Sequence, residues 1–282
     1  MYRKNLDDLC QRTLIFTDLD GSLLNHDDYS FSDAKRALKF IRSKSIPLIF
    51  CSSKTRMEIE ILQKAAGIRD PFIVENGSAI YIPKDYEIIC SKDAQAIGEY
   101  RLIMLGLNYM AIRSFVSSIS KDYQVKGFGD MSAAEISELS GLSLEQAGMA
   151  KMREFTEPFI IGNRKMIPAL RASANLRGIA ITEGGRFYHF IGSSSNKGLA
   201  VGRLRSIYSR TRLREMLTIG IGDSQNDFSI LSCVDIPVLI PHPDGSYADI
   251  DLPGMIRARY PGSMGWNDAV TSIIERLLEN NS

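Results

Sequence analysis

Two aspartates one residue apart, Asp18 and Asp20, close the stretch Leu14-Ile15-Phe16-Thr17-Asp18-Leu19-Asp20-Gly21-Ser22. Carboxylates placed so closely repel one another and resist ionising together. A hard divalent cation with oxygen ligands, such as magnesium, removes that conflict. One aspartate could then be a nucleophile and the other a general acid and base. Taken alone, the pair fits a strand followed by an Asp-rich turn, with the metal-bound nucleotide-sugar site of a glycosyltransferase as a second rival. Three further polar clusters bear on the choice: Ser52-Ser53-Lys54, Asn196-Lys197-Gly198 and Asp223-Ser224-Gln225-Asn226-Asp227. They add a hydroxyl and lysines for an anion, and more carboxylates for a cation. Together they are the equipment of phosphoryl transfer, where positioning and charge neutralisation do most of the work.

Such groups need elements that bring them to one place. Leu14 to Thr17 is short, apolar and β-branched, as expected of a buried strand. Ile46 to Cys51, Pro71 to Val74, Met216 to Ile221 and Ile236 to Ile240 read in the same way. Between them, Ser32 to Ser43, with Ser32 as the expected N-cap, and Ile59 to Ala66, closed by Gly67, have helical spacing. Lys197 to Ser209 and the short run from Phe228 to Cys233 are helical as well. Strand alternating with helix predicts a parallel sheet with helices on its faces. The carboxyl ends of parallel strands share one rim, and Asp18/Asp20, Ser52 to Lys54 and the Asp223 cluster all lie at such ends. Lys197 opens a helix, where backbone N–H groups favour phosphate. Residues 241–264, rich in Pro, Gly and Asp, read as loop, and Trp266 to Leu278 as a closing amphipathic helix.

The rhythm changes between these halves. Tyr100 to Leu105 and Pro158 to Ile161 are strand-like, and Ile112 to Ile119, Met131 to Gly141, Leu142 to Glu154 and Ile167 to Leu176 are helical. Ser132-x-x-Glu135 and Ser143-x-x-Gln146 each fit a capping box. Ile179 to Thr182, then Glu183-Gly184-Gly185, then Arg186 to Phe190 predicts a β-hairpin. This is the pattern of an α+β unit inserted into the first domain.

Bulk composition narrows the function further. The 282 residues are 44% hydrophobic and 24% charged, the balance of a soluble globular protein. A net charge of +1 gives no electrostatic footprint for nucleic acid. The cysteines Cys10, Cys51, Cys90 and Cys233 form no Cys-x-x-Cys pair and fit reduced side chains of a cytoplasmic protein. Met1 to Asp8 has basic residues with no apolar run behind them, unlike a secretory signal. No apolar run approaches the roughly 20 residues that span a bilayer, so no membrane partner is expected. The pattern sets no oligomeric state.

In order along the chain, Asp18-x-Asp20-Gly21-Ser22, Ser52, Lys197 and Gly222-Asp223-x-x-Asn226-Asp227 resemble the four motifs of the haloacid dehalogenase superfamily. The insertion between the second and third motifs resembles the α/β cap of its Cof-type sugar phosphatases. Cys51 to Arg56, Pro71 to Gly77, Ala79 to Pro83, Gly185 to His189 and Val234 to Leu239 narrow the likeness to phosphatases of phosphorylated sugar-acid conjugates. The resemblance implies a doubly wound, mostly parallel α/β core over residues 1–90 and 193–282, with an α+β cap over 91–192. It implies Asp18 as the nucleophile, Asp20 as the acid/base, and Ser52 and Lys197 as holders of the phosphoryl oxygens. It implies Mg2+ at Asp18, the Asp20 carbonyl and Asp223, with Asp227 approaching or orienting that shell beside Asn226 and Ser224. The substrate would be a small phosphorylated sugar acid, meeting Ser53, Lys54, Glu75, Asn76 and Gly77 on the rim and Arg164, Arg186 and His189 in the cap. A phosphomutase remains the rival with the same motifs.

Overall fold

The computed structural model describes residues 8–90, 92–184 and 186–279. The start Met1 to Asp7 and the hairpin residue Gly185 lie outside the described residues.

Strand β1 (Thr13–Thr17) is buried along its whole length. The 3-10 turn Ser32–Ala34 and helix α1 (Lys35–Ser43) follow, then β2 (Leu48–Phe50), α2 (Arg56–Ala66) and β3 (Phe72–Val74). Ser32 does not cap: it begins the 3-10 turn with no side-chain cap bond, and α1 starts three residues later. Thr55 caps α2 in a reciprocal bond pair with Glu58, and Gly67 closes that helix in the left-handed region.

The chain then departs from the expected alternation. β3 meets β2 at one parallel bridge, Cys51 with Ile73. Otherwise it pairs antiparallel with β4 (Ala79–Pro83), which pairs with β6 (Tyr100–Met104), which pairs with β5 (Gln95–Ile97). The cause is the turn between β3 and β4. Glu75, Asn76 and Gly77 have φ of 48°, 61° and 86°, which reverses the chain at once and leaves no room for a crossover helix. This sheet runs past residue 90, since β6 completes it.

Residues from α3 (Tyr109–Tyr123) onward build a second antiparallel sheet, with strands β7 (Val125–Gly127), β8 (Glu157–Ile161), β9 (Ile179–Glu183) and β10 (Tyr188–Gly192) in the order β7-β8-β10-β9. Phe159 and Phe190 on one face pack with Ile112, Val116 and Phe115 of α3 and with Leu170 of α6 (Ile167–Asn175). Ile160, one residue along and so on the other face, packs with Ile136 of α4 (Ala133–Ser140) and Ala147 of α5 (Leu144–Ala150). Both expected capping boxes, at Ser132/Glu135 and Ser143/Gln146, are present.

The two linkers of this unit meet at Ser78. The Ser78 carbonyl accepts from the N–H groups of Leu105 and Gly106 at 2.9 and 3.0 Å. Its hydroxyl donates to Ser195 Oγ at 3.0 Å. The chain then resumes the α/β pattern with α7 (Lys197–Arg212), β11 (Leu217–Gly222), α8 (Phe228–Leu231), β12 (Ile236–Leu239), β13 (Ile256–Arg257) and α9 (Gly262–Glu279). Within the stretch expected to be loop, β13 adds an edge strand and α9 begins four residues early.

The central sheet is parallel throughout, in the order β13-β12-β11-β1-β2. Ile15 faces a cluster containing Ile41 of α1 and Trp266 and Val270 of α9. Leu14 and Phe16 face Val201, Leu204 and Ile207 of α7. Apolar burial on both faces of β1 is what holds its carboxyl end at the rim. Among the described residues, no helix is long and apolar enough to cross a membrane.

Candidate active site

Asp18 is the first residue past β1, and its N–H donates to the Ile221 carbonyl of β11 at 2.8 Å. Thr17 Oγ1 donates to the Asp18 carbonyl at 2.7 Å and accepts from the buried Trp266 Nε1 at 3.1 Å. The sheet and α9 thus fix the backbone of Asp18 from two sides. Gly21 turns with φ of +77°, and a Cβ there would lie 2.4 Å from Asp223 Oδ2. Glycine is therefore what lets the first and last acidic loops interlock.

Lys197 is the first residue of α7, whose N-cap Asn196 accepts from the Leu199 N–H. Its stem is buried, and Nζ lies 2.8 Å from Asp18 Oδ1 and 2.8 Å from Asp227 Oδ1. The other Asp227 oxygen accepts from the N–H groups of Asp223 (3.1 Å) and Ser224 (3.2 Å) and from Ser224 Oγ (3.1 Å). Ser22 Oγ donates to Asp223 Oδ1 at 3.4 Å. One carboxylate oxygen from each of Asp18, Asp223 and Asp227 lies within 4.8 Å of the others.

The electrostatics of this niche are unbalanced. Burial, then the charge of Asp227, pushes the Asp18 carboxyl up, and Lys197 only partly opposes this. Burial and the Asp18 and Asp227 charges push Asp223 up in the same way. Burial pulls Lys197 down, but Asp18 and Asp227 outweigh it and hold the ammonium above its ordinary value. Three buried carboxylates beside one ammonium leave negative charge uncompensated. An all-oxygen donor set of this kind suits a hard cation, so the cluster could hold a metal ion.

Ser52 is buried at the end of β2. Its N–H donates to the Ile73 carbonyl, and its own carbonyl accepts from the Asn76 N–H. The Asp20 side chain pairs with Lys54, whose Nζ is 2.9 Å from Asp20 Oδ1. Asn226 Nδ2 donates to Asn76 Oδ1 at 3.2 Å, joining the last acidic loop to the β3–β4 turn. A cleft of about 340 Å³ opens beside Gly21 and Asp223, with His26, Asp33, His242 and Met264 along its walls.

Several residues expected to meet a substrate are engaged otherwise. Glu75 is fully buried, and its carboxylate is taken up by Glu154 N, Phe155 N and Thr156 Oγ1. Gly77 lies against the start of α7, where a Cβ would be 2.3 Å from the Asn196 carbonyl, so glycine permits that close approach. The Ser53 carbonyl accepts from Arg153 Nη1 at 2.7 Å. Arg186 is exposed and donates to the Ser140 carbonyl. Arg164, also exposed, stacks its guanidinium 6.0 Å from the centre of the Tyr188 ring. Burial, then the charge of Arg153, pushes His189 down to about 3, so its imidazole stays neutral.

Arg153, Glu154 and Thr156 escape a reading of the sequence. Arg153 and Glu154 fall at the end of the stretch expected to be helical, but the helix stops at Ala150, and only the fold brings them and Thr156 to the Ser53 and Glu75 loops.

The sequence model of haloacid dehalogenase-like hydrolases matches residues 15–105. A protein of Persephonella marina named glucosyl-3-phosphoglycerate/mannosyl-3-phosphoglycerate phosphatase is 47% identical over 267 residues, covering 94% of this chain and 98% of that one. One of the same name from Methanococcoides burtonii is 42% identical over 269 residues, covering 93% and 97%. A crystal structure of a Thermoplasma acidophilum protein superposes with a TM-score of 0.62 at 18% identity, covering 94% and 97% of the two chains. The fold is thus shared with a solved structure, and the alignments with these two relatives span more than nine-tenths of each chain: the chain belongs to the haloacid dehalogenase-like hydrolases.

Proposed function

We propose that the protein is a magnesium-dependent phosphatase that releases phosphate from mannosyl-3-phosphoglycerate, leaving mannosylglycerate. The observation that carries this reading is the buried Lys197 held at 2.8 Å between Asp18 and Asp227, with Asp223 in the same cluster. Glucosyl-3-phosphoglycerate is the second reading, favoured by the double name of the Persephonella and Methanococcoides relatives.

In the first half-reaction an Asp18 oxygen attacks phosphorus, an aspartyl-phosphate forms and the P–O bond to the sugar-acid oxygen breaks. Asp20, entering the step protonated and released from Lys54, gives its proton to that departing oxygen and becomes a carboxylate; it then takes a proton from the water that attacks phosphorus, the Asp18 O–P bond breaks and inorganic phosphate leaves. Ser52 and Lys197 hold the transferring phosphoryl oxygens, and the start of α7 adds backbone N–H groups near them. Asp18, the Asp20 carbonyl and Asp223 would hold the magnesium, with Asp227 approaching or orienting that set, and the bound cation would neutralise the carboxylates and the phosphoryl charge. Asn226 and Ser224 orient that set. We further propose that residues from about Gly106 to Gly192 form the cap that reads the sugar acid. That division follows β6, which belongs with β4 on the core side.

The test is phosphate release from the mannosyl and glucosyl esters side by side, with and without a chelator. Free phosphate from either ester, abolished by the chelator, is the expected outcome. An isomeric phosphate ester as product would mark a mutase, and turnover indifferent to chelation would remove the metal from the reading.

A further inference from the structure

Glu75 occupies the turn between β3 and β4 with φ of 48°, a conformation that costs energy for any residue with a Cβ. It accepts three hydrogen bonds from one short stretch of the inserted unit: Glu154 N at 2.9 Å, Phe155 N at 3.3 Å and Thr156 Oγ1 at 2.6 Å. Arg153 lies 4.0 Å away and reaches past it to the Ser53 carbonyl. Burial, first among the causes, pushes the Glu75 carboxyl up, while Arg153 and these donors pull it back. A buried carboxylate so fully used is costly to lose.

The same turn grips the catalytic loops from its other side. The Glu75 N–H donates to the Lys54 carbonyl at 3.1 Å, and the Asn76 N–H to the Ser52 carbonyl at 3.0 Å. Asn76 also holds Asn226. Meanwhile Phe155 is buried in the core cluster, with its ring 6.4 Å from that of Tyr81. Glu154 takes Arg56 Nε at 2.8 Å and the Tyr81 hydroxyl at 2.6 Å. The inserted unit is therefore fastened to the core at a third place, distant in sequence from both linkers.

We propose that Glu75 is a positioning residue: it latches residues 153–156 to the β3–β4 turn and thereby fixes the Ser52 loop relative to Asp18. The inference rests on the phosphatase reading above. Glu75 does not touch substrate; it acts through the Ser52 and Asn76 backbone.

Amide exchange reads the latch without any substrate, and phosphate release reads its consequence. Glu75→Gln keeps one acceptor oxygen, Glu75→Ala keeps none, and Thr156→Val removes a single donor. For Glu75→Gln, kcat should fall about 10-fold while KM moves less than about 3-fold, the mark of lost alignment rather than lost binding. Exchange at the Glu154, Phe155 and Asn76 amides should quicken by about 10-fold or more in the same protein. Thr156→Val should fall between parent and Glu75→Gln on both measures, and it keeps the proposal testable should Glu75→Ala not fold. Faster exchange at 154 and 155 with parental kcat would overturn the proposal, as would a lowered kcat with parental exchange. A parent that releases no phosphate from either ester would instead sink the phosphatase reading, and the exchange comparison would still decide the latch.

Discussion

Lys197 Nζ lies 2.8 Å from Asp18 Oδ1, although 179 residues separate them in the chain. The ammonium arrives on the first turn of a helix and the carboxylate on the end of the central strand. Their meeting depends on the parallel pairing of β1 with β11, which sets the Asp18 loop beside the Asp223 loop.

Asp18→Asn should abolish phosphate release, by at least about 10³-fold, because the amide cannot form the acyl-phosphate bond. Its far-ultraviolet circular dichroism should match the parent, since the Asp18 backbone is held by Ile221, Thr17 and the sheet. Turnover that survives in this variant would remove Asp18 from the role of nucleophile.

Lys197→Met should stop turnover and also weaken the fold. Removing one partner of a buried ion pair costs about 3 kcal/mol or more, because Asp18 and Asp227 are left facing each other. The loss should be largest without divalent cation and smaller with magnesium, which would supply the missing positive charge. Denaturant midpoints with and without magnesium measure both. A midpoint equal to the parent's in chelator would contradict the balance of charge described for the niche.

Stability should also depend on pH in a definite direction. Burial and mutual repulsion raise the Asp18 and Asp223 carboxyls above their ordinary value in the folded chain. The folded protein then binds more protons than the unfolded one, so stability falls as pH rises from the ordinary carboxylate range towards neutrality. Once both carboxyls are ionised in the fold, that contribution is gone. Metal-free protein should accordingly have a lower denaturant midpoint at about pH 8 than at about pH 5, and magnesium should flatten the difference. A midpoint that rises over this interval without metal would reverse the assignment.

Gly77→Ala tests the seat of α7. The residue has φ of +86°, and a Cβ would sit 2.3 Å from the Asn196 carbonyl and 2.5 Å from Lys197 N. Strain and clash together should cost about 2 kcal/mol or more. Because the displaced element carries Lys197, kcat should fall further than the loss of thermal midpoint alone accounts for. A stable variant with full activity would show that α7 shifts freely.

Much of this site was legible in the linear chain. Asp18, Lys197 and the Asp223 cluster each adjoin an element with clear periodicity, so their common rim followed from parallel topology. The β3–β4 hairpin was not read: the alternation of strands and helices pointed to a parallel sheet, and the turn signal of Asn76-Gly77 between two apolar runs was overridden by it. Nor was Glu75 legible. A glutamate beside a motif reads as a rim residue, and its burial depends on Glu154, Phe155 and Thr156, some 80 positions away. The same holds for Lys54, whose partner is Asp20. Local pattern carries periodicity and turns; it carries no distances between side chains from separate loops.

The central strand β1 has Thr13 opposite Leu217 and Thr17 opposite Ile221. A ribosome therefore emits β1 about two hundred residues before the neighbour that covers one of its edges. The four strands from Val125 to Gly192 need nothing made later, and can collapse on their own beforehand. Leu14, Ile15 and Phe16 meanwhile wait with an open backbone edge, the kind of surface that invites wrong partners and chaperones. Long-range pairing of this sort also folds slowly. The chemistry is in this sense the last thing the nascent polypeptide acquires, because its acidic niche exists only once the distant halves have zipped together.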